Sequence, residues 1–122
     1  MHQNVVELKK NRLFTLKEAQ TLLPIIRKIT RETIRQVEDL EWKTKFGHLL
    51  KDEHRLENGR SEIQLLIERW SDKVSRLGAE PKGFWLVDFN FGEGYFCWKY
   101  PEEQIGFFHD YQGGFSKRSP II

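Results

Sequence analysis

Between Lys82 and Pro120, short aromatic runs are each interrupted by a group that can carry charge or attack. Asp88 stands in Phe84-Trp85-Leu86-Val87-Asp88-Phe89, Cys97 in Phe96-Cys97-Trp98, and His109-Asp110 closes Ile105-Gly106-Phe107-Phe108. Lys82 opens the stretch, and Gly113-Gly114-Phe115-Ser116-Lys117-Arg118 ends it. A carboxylate, an imidazole and a guanidinium beside an aromatic core are the materials of an acid–base pair or an anion site. Lys82, Asp88, Cys97, His109, Asp110 and Arg118 are therefore the candidate binding residues.

Each has a plainer role to weigh against the chemical one. A carboxylate in an apolar strand needs a partner, because an unpaired buried charge is costly. For Asp88 the expected partner is Lys82, Arg118 or a backbone amide, ahead of acid–base work. Neighbours on a strand point to opposite faces, so His109 and Asp110 cannot act on each other directly. A half-buried, hydrogen-bonded His109 on the face of Phe107 is expected ahead of an acid–base or anion-binding one. Cys97 would need a depressed pKa and a nearby base to be a nucleophile, and His109 is the only histidine in the strand region. A small buried strand residue is the expectation. Gly113-Gly114 with Arg118 offers amides and a base to an anion, but packing of Phe115 explains the segment as well.

No metal or cofactor is expected. Neither helical segment holds a Glu-x-x-His pair, and Cys97, His109 and Asp110 form no recognised ligand spacing. Phosphate-loop, dinucleotide, Gly-x-Ser-x-Gly and His-Glu-x-x-His signatures are missing too, so no catalytic residue is assigned and the protein is expected not to be an enzyme.

The chain has 122 residues, which suits one domain over 1–122 with one modest core. Apolar residues make up 39% and charged residues 31%, the balance of a soluble globular protein. No apolar run approaches the roughly 20 residues of a membrane helix, and no signal peptide is read at the start. With a single cysteine no internal disulfide can form, and a cytoplasmic location is expected. The net charge is only +2, with +4 on residues 1–60 and −2 on the rest. Arg27, Arg31 and Arg35 recur every four residues and could track phosphates. Glu32, Glu38 and Asp39 balance them, so nucleic acid is not an expected partner.

The elements that must position these groups follow from periodicity. Residues 14–78 read as a long antiparallel helical hairpin. Thr15-Leu16-Lys17-Glu18 is a capping box, and apolar residues then recur at helical spacing to Leu56. Pro24 should kink or restart this helix. Asn58-Gly59 should cap it, and Ser61-Glu62-Ile63-Gln64 should start a second helix carrying Ile63, Leu66, Ile67, Trp70, Val74 and Leu77. Residues 83–122 read as strands at 84–91, 94–100 and 104–110, a three-stranded antiparallel β-meander with a C-terminal tail. The fold class is α+β. Asn4 to Leu8 is a possible short strand or arm.

Alternation puts aromatics on both sheet faces, and one hairpin covers only one. The other face should meet a second subunit, the tail or a ligand, and a homodimer is the expectation.

Phe14-Thr15-Leu16-Lys17-Glu18-Ala19 with Leu22-Leu23-Pro24, then Leu86-Val87-Asp88-Phe89, Cys97-Trp98, His109-Asp110 and Gly114-Phe115 with Arg118 and Pro120-Ile121, make a further pattern. In combination and order they resemble a bacterial family catalogued as domain of unknown function 2203, over nearly the whole chain. Some of its members carry a cell-division label, and the resemblance implies no particular activity. Trp85 stands where that family has glycine, Asn90 where it has proline, and Phe108 where it has tryptophan.

The functional expectation is an uncharacterised cytoplasmic interaction or assembly protein that binds itself and a macromolecular partner. The alternative is a small-molecule or anion-binding domain, or a weak enzyme, centred on Asp88, His109 and Arg118.

Overall fold

The computed structural model describes residues 12–49 and 51–122, and the possible arm at Asn4 to Leu8 lies outside them. Two helices, α1 (Leu16–Leu49) and α2 (Glu53–Arg76), form an antiparallel hairpin. Five strands follow: β1 (Glu80–Pro81), β2 (Leu86–Asn90), β3 (Tyr95–Lys99), β4 (Phe107–His109) and β5 (Ser119–Pro120). They pair in chain order and all antiparallel, so the α+β class holds. None of the described helices is long and apolar enough to cross a membrane.

The first helix begins as its capping box dictates. The Thr15 hydroxyl accepts from the Glu18 amide at 3.1 Å, and the Glu18 carboxylate accepts from the Thr15 amide at 2.9 Å. Those bonds hold the Glu18 carboxyl below its usual range. Phe14 packs edge-on against Phe89 with ring centroids 5.3 Å apart, and its amide donates to the Asn90 carbonyl. The residue before the helix thus ties it to β2.

Pro24 does not restart α1, which runs through it on an exposed side. The hairpin turn also falls earlier than expected. α1 stops at Leu49, Lys51 takes a left-handed φ of 55°, and the Asp52 amide donates to the Gly47 carbonyl. Asn58-Gly59 and Ser61-Glu62 therefore lie inside α2, not at a cap. Gly59 is there for contact rather than for turning, since a Cβ at that position would run into the Thr44 hydroxyl of α1. Close helix approach overrides the local glycine signal.

Two short strands flank the expected three-stranded meander and extend it to five. β1 and β5 are two residues each and contain Pro81 and Pro120, which suit sheet edges because proline donates no ladder bond. Between β1 and β2 the chain turns through Gly83 and Trp85, both with positive φ, at 63° and 73°. Trp85 so occupies backbone space that glycine enters without strain. Its indole meets Trp70 edge-on at 5.0 Å.

One sheet face, with Val87, Phe89 and Trp98, packs on Ala19, Leu23, Ile26, Trp70 and Val74 of the hairpin. The helices are also joined inside this core: the Trp70 indole N–H donates to the Thr30 hydroxyl at 2.9 Å, and that hydroxyl donates to the Ile26 carbonyl.

Candidate functional site

The opposite sheet face carries the candidate site. Register pairs Asp88 with Cys97, Cys97 with Phe107, and Tyr95 with His109, so Asp88, Cys97 and His109 share that face. All three are buried, at 3%, 0% and 4% exposure. The chain's own tail is what buries them. Tyr111 stacks edge-on against Tyr95, and its hydroxyl donates to the Asn90 side chain. Gly113 and Gly114 pass over His109, and Arg118 lies over the Phe107 ring at 3.9 Å. The open sheet face on which a homodimer was expected is thus covered from within the chain.

Asp88 and His109 are bonded directly. His109 Nε2 lies 3.1 Å from Asp88 Oδ2, while its Nδ1 lies 2.7 Å from the Asp110 carbonyl. A carbonyl can only accept, so Nδ1 carries a proton and donates it there. The Gly114 amide also approaches this nitrogen, at 3.3 Å. Asp88 Oδ1 is buried and has no hydrogen-bond partner among the described residues. Burial pushes the Asp88 carboxyl up from its ordinary value, against the smaller pull of His109, Cys97 and Lys82.

Cys97 lies beside that carboxylate. Burial, reinforced by Asp88 and opposed by Arg118, pushes its thiol up to about 12. A thiol held there is not a nucleophile at neutral pH. In the folded protein, with a chelator present, iodoacetamide at pH 8 is expected to label Cys97 at least about a thousandfold more slowly than in denaturant, from thiolate fraction and burial together. Mass spectrometry over time measures this. Labelling within tenfold of the denatured rate would mean that the tail does not seal the face.

The other candidates have their main partners elsewhere, although Arg118 also reaches the Cys97 thiol. Arg118 makes a two-pronged pair with Glu102, at 3.0 and 2.9 Å, and is sandwiched between Phe107 and Phe115. Burial works against its charge, but Glu102 outweighs that and raises its pKa. Lys82 pairs with Glu80 at 3.4 Å and sits over the Tyr95 ring. The Asp110 side chain accepts from the Gln112 amide in an exposed turn, so only its backbone reaches the site. Beside Lys82 a cleft of about 490 Å³ is lined by Ser75, Glu80, Asn90 and Tyr95 among others, and Asp88, Cys97 and His109 do not line it. Of the arginine stripe, Arg31 and Arg35 are exposed along α1.

Asp88, Cys97 and His109 each offer one metal-ligating atom, and these atoms all lie within 4.8 Å of one another. Sequence spacing did not reveal this set, because it looked to the adjacent Asp110 instead of the cross-strand Asp88. The signal that was present is parity: alternate strand residues share a face, and register does the rest.

The class defined by this fold and site is a helical-hairpin α+β domain with an Asp–Cys–His cluster beneath its tail. Residues 12–121 match the family model described as Uncharacterized conserved protein (DUF2203), and the chain belongs to that family. No curated protein matches the chain. No solved structure does either.

Proposed function

We propose that the protein is a homodimeric, non-enzymatic assembly protein of the cytoplasm, which pairs through the distal half of its helical hairpin. The supporting observation is a groove of about 310 Å³ on that half, lined by Gln36, Asp39, Leu40, Lys43, Glu62, Leu65, Leu66 and Arg69. The core around the sheet draws on Ala19, Leu23 and Ile26 of α1 and Trp70 and Val74 of α2. Past that point the two helices have mainly each other, and two helices cannot enclose an apolar interior.

The groove is lined by Leu40, Leu65 and Leu66 together with charges of both signs, Asp39 and Glu62 with Lys43 and Arg69. A two-fold contact brings the same patch against itself, so mixed signs favour a second copy over a strongly charged partner. Exposed Leu65, with Trp42 and Leu49 further along, supplies apolar area to bury. A cytoplasmic setting suits a chain whose one cysteine is a buried free thiol. The alternative anion site has less support, because both prongs of Arg118 are spent on Glu102 and not turned toward His109.

Light scattering on eluting protein is expected to give a dimer mass at tens of micromolar. Leu65→Glu should give a monomer with an unchanged circular dichroism spectrum, since Leu65 is 44% exposed. A monomer mass for the wild type from micromolar to millimolar, or a dimer that survives Leu65→Glu, sinks the proposal.

A further inference from the structure

We infer that Asp88, Cys97 and His109 form a binding site for one zinc-class divalent cation, enclosed by the tail of the same chain. Three observations converge on this, and none depends on the hairpin pairing above.

The first is the donor set. Imidazole, thiolate and carboxylate together are the ligands of zinc, whereas calcium and magnesium take oxygen alone. One donor atom from each residue lies within 4.8 Å of the others, and all three side chains are buried. His109 Nε2 and Asp88 Oδ2 are 3.1 Å apart. Two ligands at about 2.0–2.1 Å in a tetrahedron sit roughly 3.3–3.4 Å apart, so this edge is already set.

The second is the histidine's outer contact. Metal-bound histidines usually give their other ring N–H to a carbonyl or carboxylate, which fixes the tautomer. His109 does this with the Asp110 carbonyl at 2.7 Å. Nε2 then points at Asp88 Oδ2, 3.1 Å away, and what joins the two there is a proton or a metal ion in its place.

The third is the thin partnering of Asp88, whose carboxylate has only the His109 ring and the Cys97 thiol beside it to favour its charge at short range. Oδ1 is buried with no hydrogen-bond partner among the described residues. The two nearest cationic side chains are paired with other carboxylates, Lys82 with Glu80 and Arg118 with Glu102. A dication closes this account. With Asp88 and a Cys97 thiolate it makes a neutral centre, and binding releases the thiol proton to solvent. Asp88 can give both oxygens, which would complete four donors without a water.

Because the ligands come from β2, β3 and β4 and lie under the tail, the ion is expected to be taken up as the sheet closes. The test therefore refolds the full chain from denaturant with Zn²⁺ or Co²⁺ and dialyses it. One zinc per chain is expected by mass spectrometry of the metal. Cobalt should show an intense near-ultraviolet sulfur-to-metal band, which only a ligating thiolate gives. The thermal midpoint should rise by roughly 10 °C at a hundredfold excess over Kd. Cys97→Ser and His109→Ala should each weaken binding at least about a hundredfold, and His54→Ala, at an exposed position of α2 away from the sheet, should leave it unchanged. Should either ligand variant fail to fold, the wild-type cobalt spectrum decides alone. Cobalt bound without the sulfur band, zinc below about a tenth of an equivalent, or uptake that survives Cys97→Ser each overturns the inference. Retention of an extra proton between His109 and Asp88, seen by nitrogen NMR as an imidazolium in zinc-treated protein, overturns it as well.

Discussion

Replacing Trp98 with alanine is expected to cost about 3–5 kcal/mol, a large part of the roughly 5–15 kcal/mol that holds a domain of this kind together. Trp98 is fully buried at 0% exposure and is among the largest enclosed side chains of the molecule. It sits mid-strand on β3, opposite Val87, on the face that meets the hairpin. The substitution removes an indole from a packed layer that includes Phe89, Ile26 and Trp70, and rigid neighbours cannot close the void. It also deletes the indole N–H that donates to the Glu102 carbonyl at 2.7 Å. Trp98→Phe keeps most of the ring and loses that bond, so about 1–2 kcal/mol is expected from it. Urea melts followed by far-ultraviolet circular dichroism should show both midpoints shifted in that order with an unchanged slope. An alanine variant melting beside the wild type would remove Trp98 from the core.

Glu102→Ala is expected to cost about 2–4 kcal/mol and to loosen the tail. One oxygen of this carboxylate accepts from Arg118 and from the Lys99 amide, at 3.0 and 2.8 Å, and the other accepts from Arg118 at 2.9 Å. Arg118 has 13% of its side chain exposed, so removing its partner leaves a largely buried cation between two aromatic rings. Partial exposure of Glu102, at 27%, keeps the figure below that of a fully buried pair. The neutral Glu102→Gln retains an acceptor and should lose roughly half as much. Trypsin reads the second consequence: cleavage after Lys117 or Arg118 should accelerate in Glu102→Ala well before global unfolding. Cleavage rates and midpoints equal to wild type would mean that this pair does not hold the tail down.

These two residues also mark what could be read along the chain. Trp98 announced itself as core by size and by its place among strand formers. Glu102 did not. It falls between the expected strands 94–100 and 104–110, and nothing local to it names Arg118, sixteen residues on, as its partner. The same contrast runs through the helices. Thr15 and Glu18 bond each other within one turn, and their cap was legible because both partners lie inside a four-residue window. Asn58-Gly59 was misleading because the need for glycine comes from Thr44 on the other helix. β1 and β5 were not legible, since two residues hold no alternation to detect.

By itself the sequence determined the hairpin, its starting cap, the antiparallel strands β2 to β4 and which residues share a face within each strand. Caps, helical period and strand alternation arise between residues a few positions apart, so they are written locally. Only the tertiary structure decided that Asp88 meets His109 across β3, that Arg118 goes to Glu102, and that the tail seals the second face. Those choices depend on strand register and on where the returning chain lands, and both are set by packing summed over the whole sheet. No short stretch of residues carries that sum.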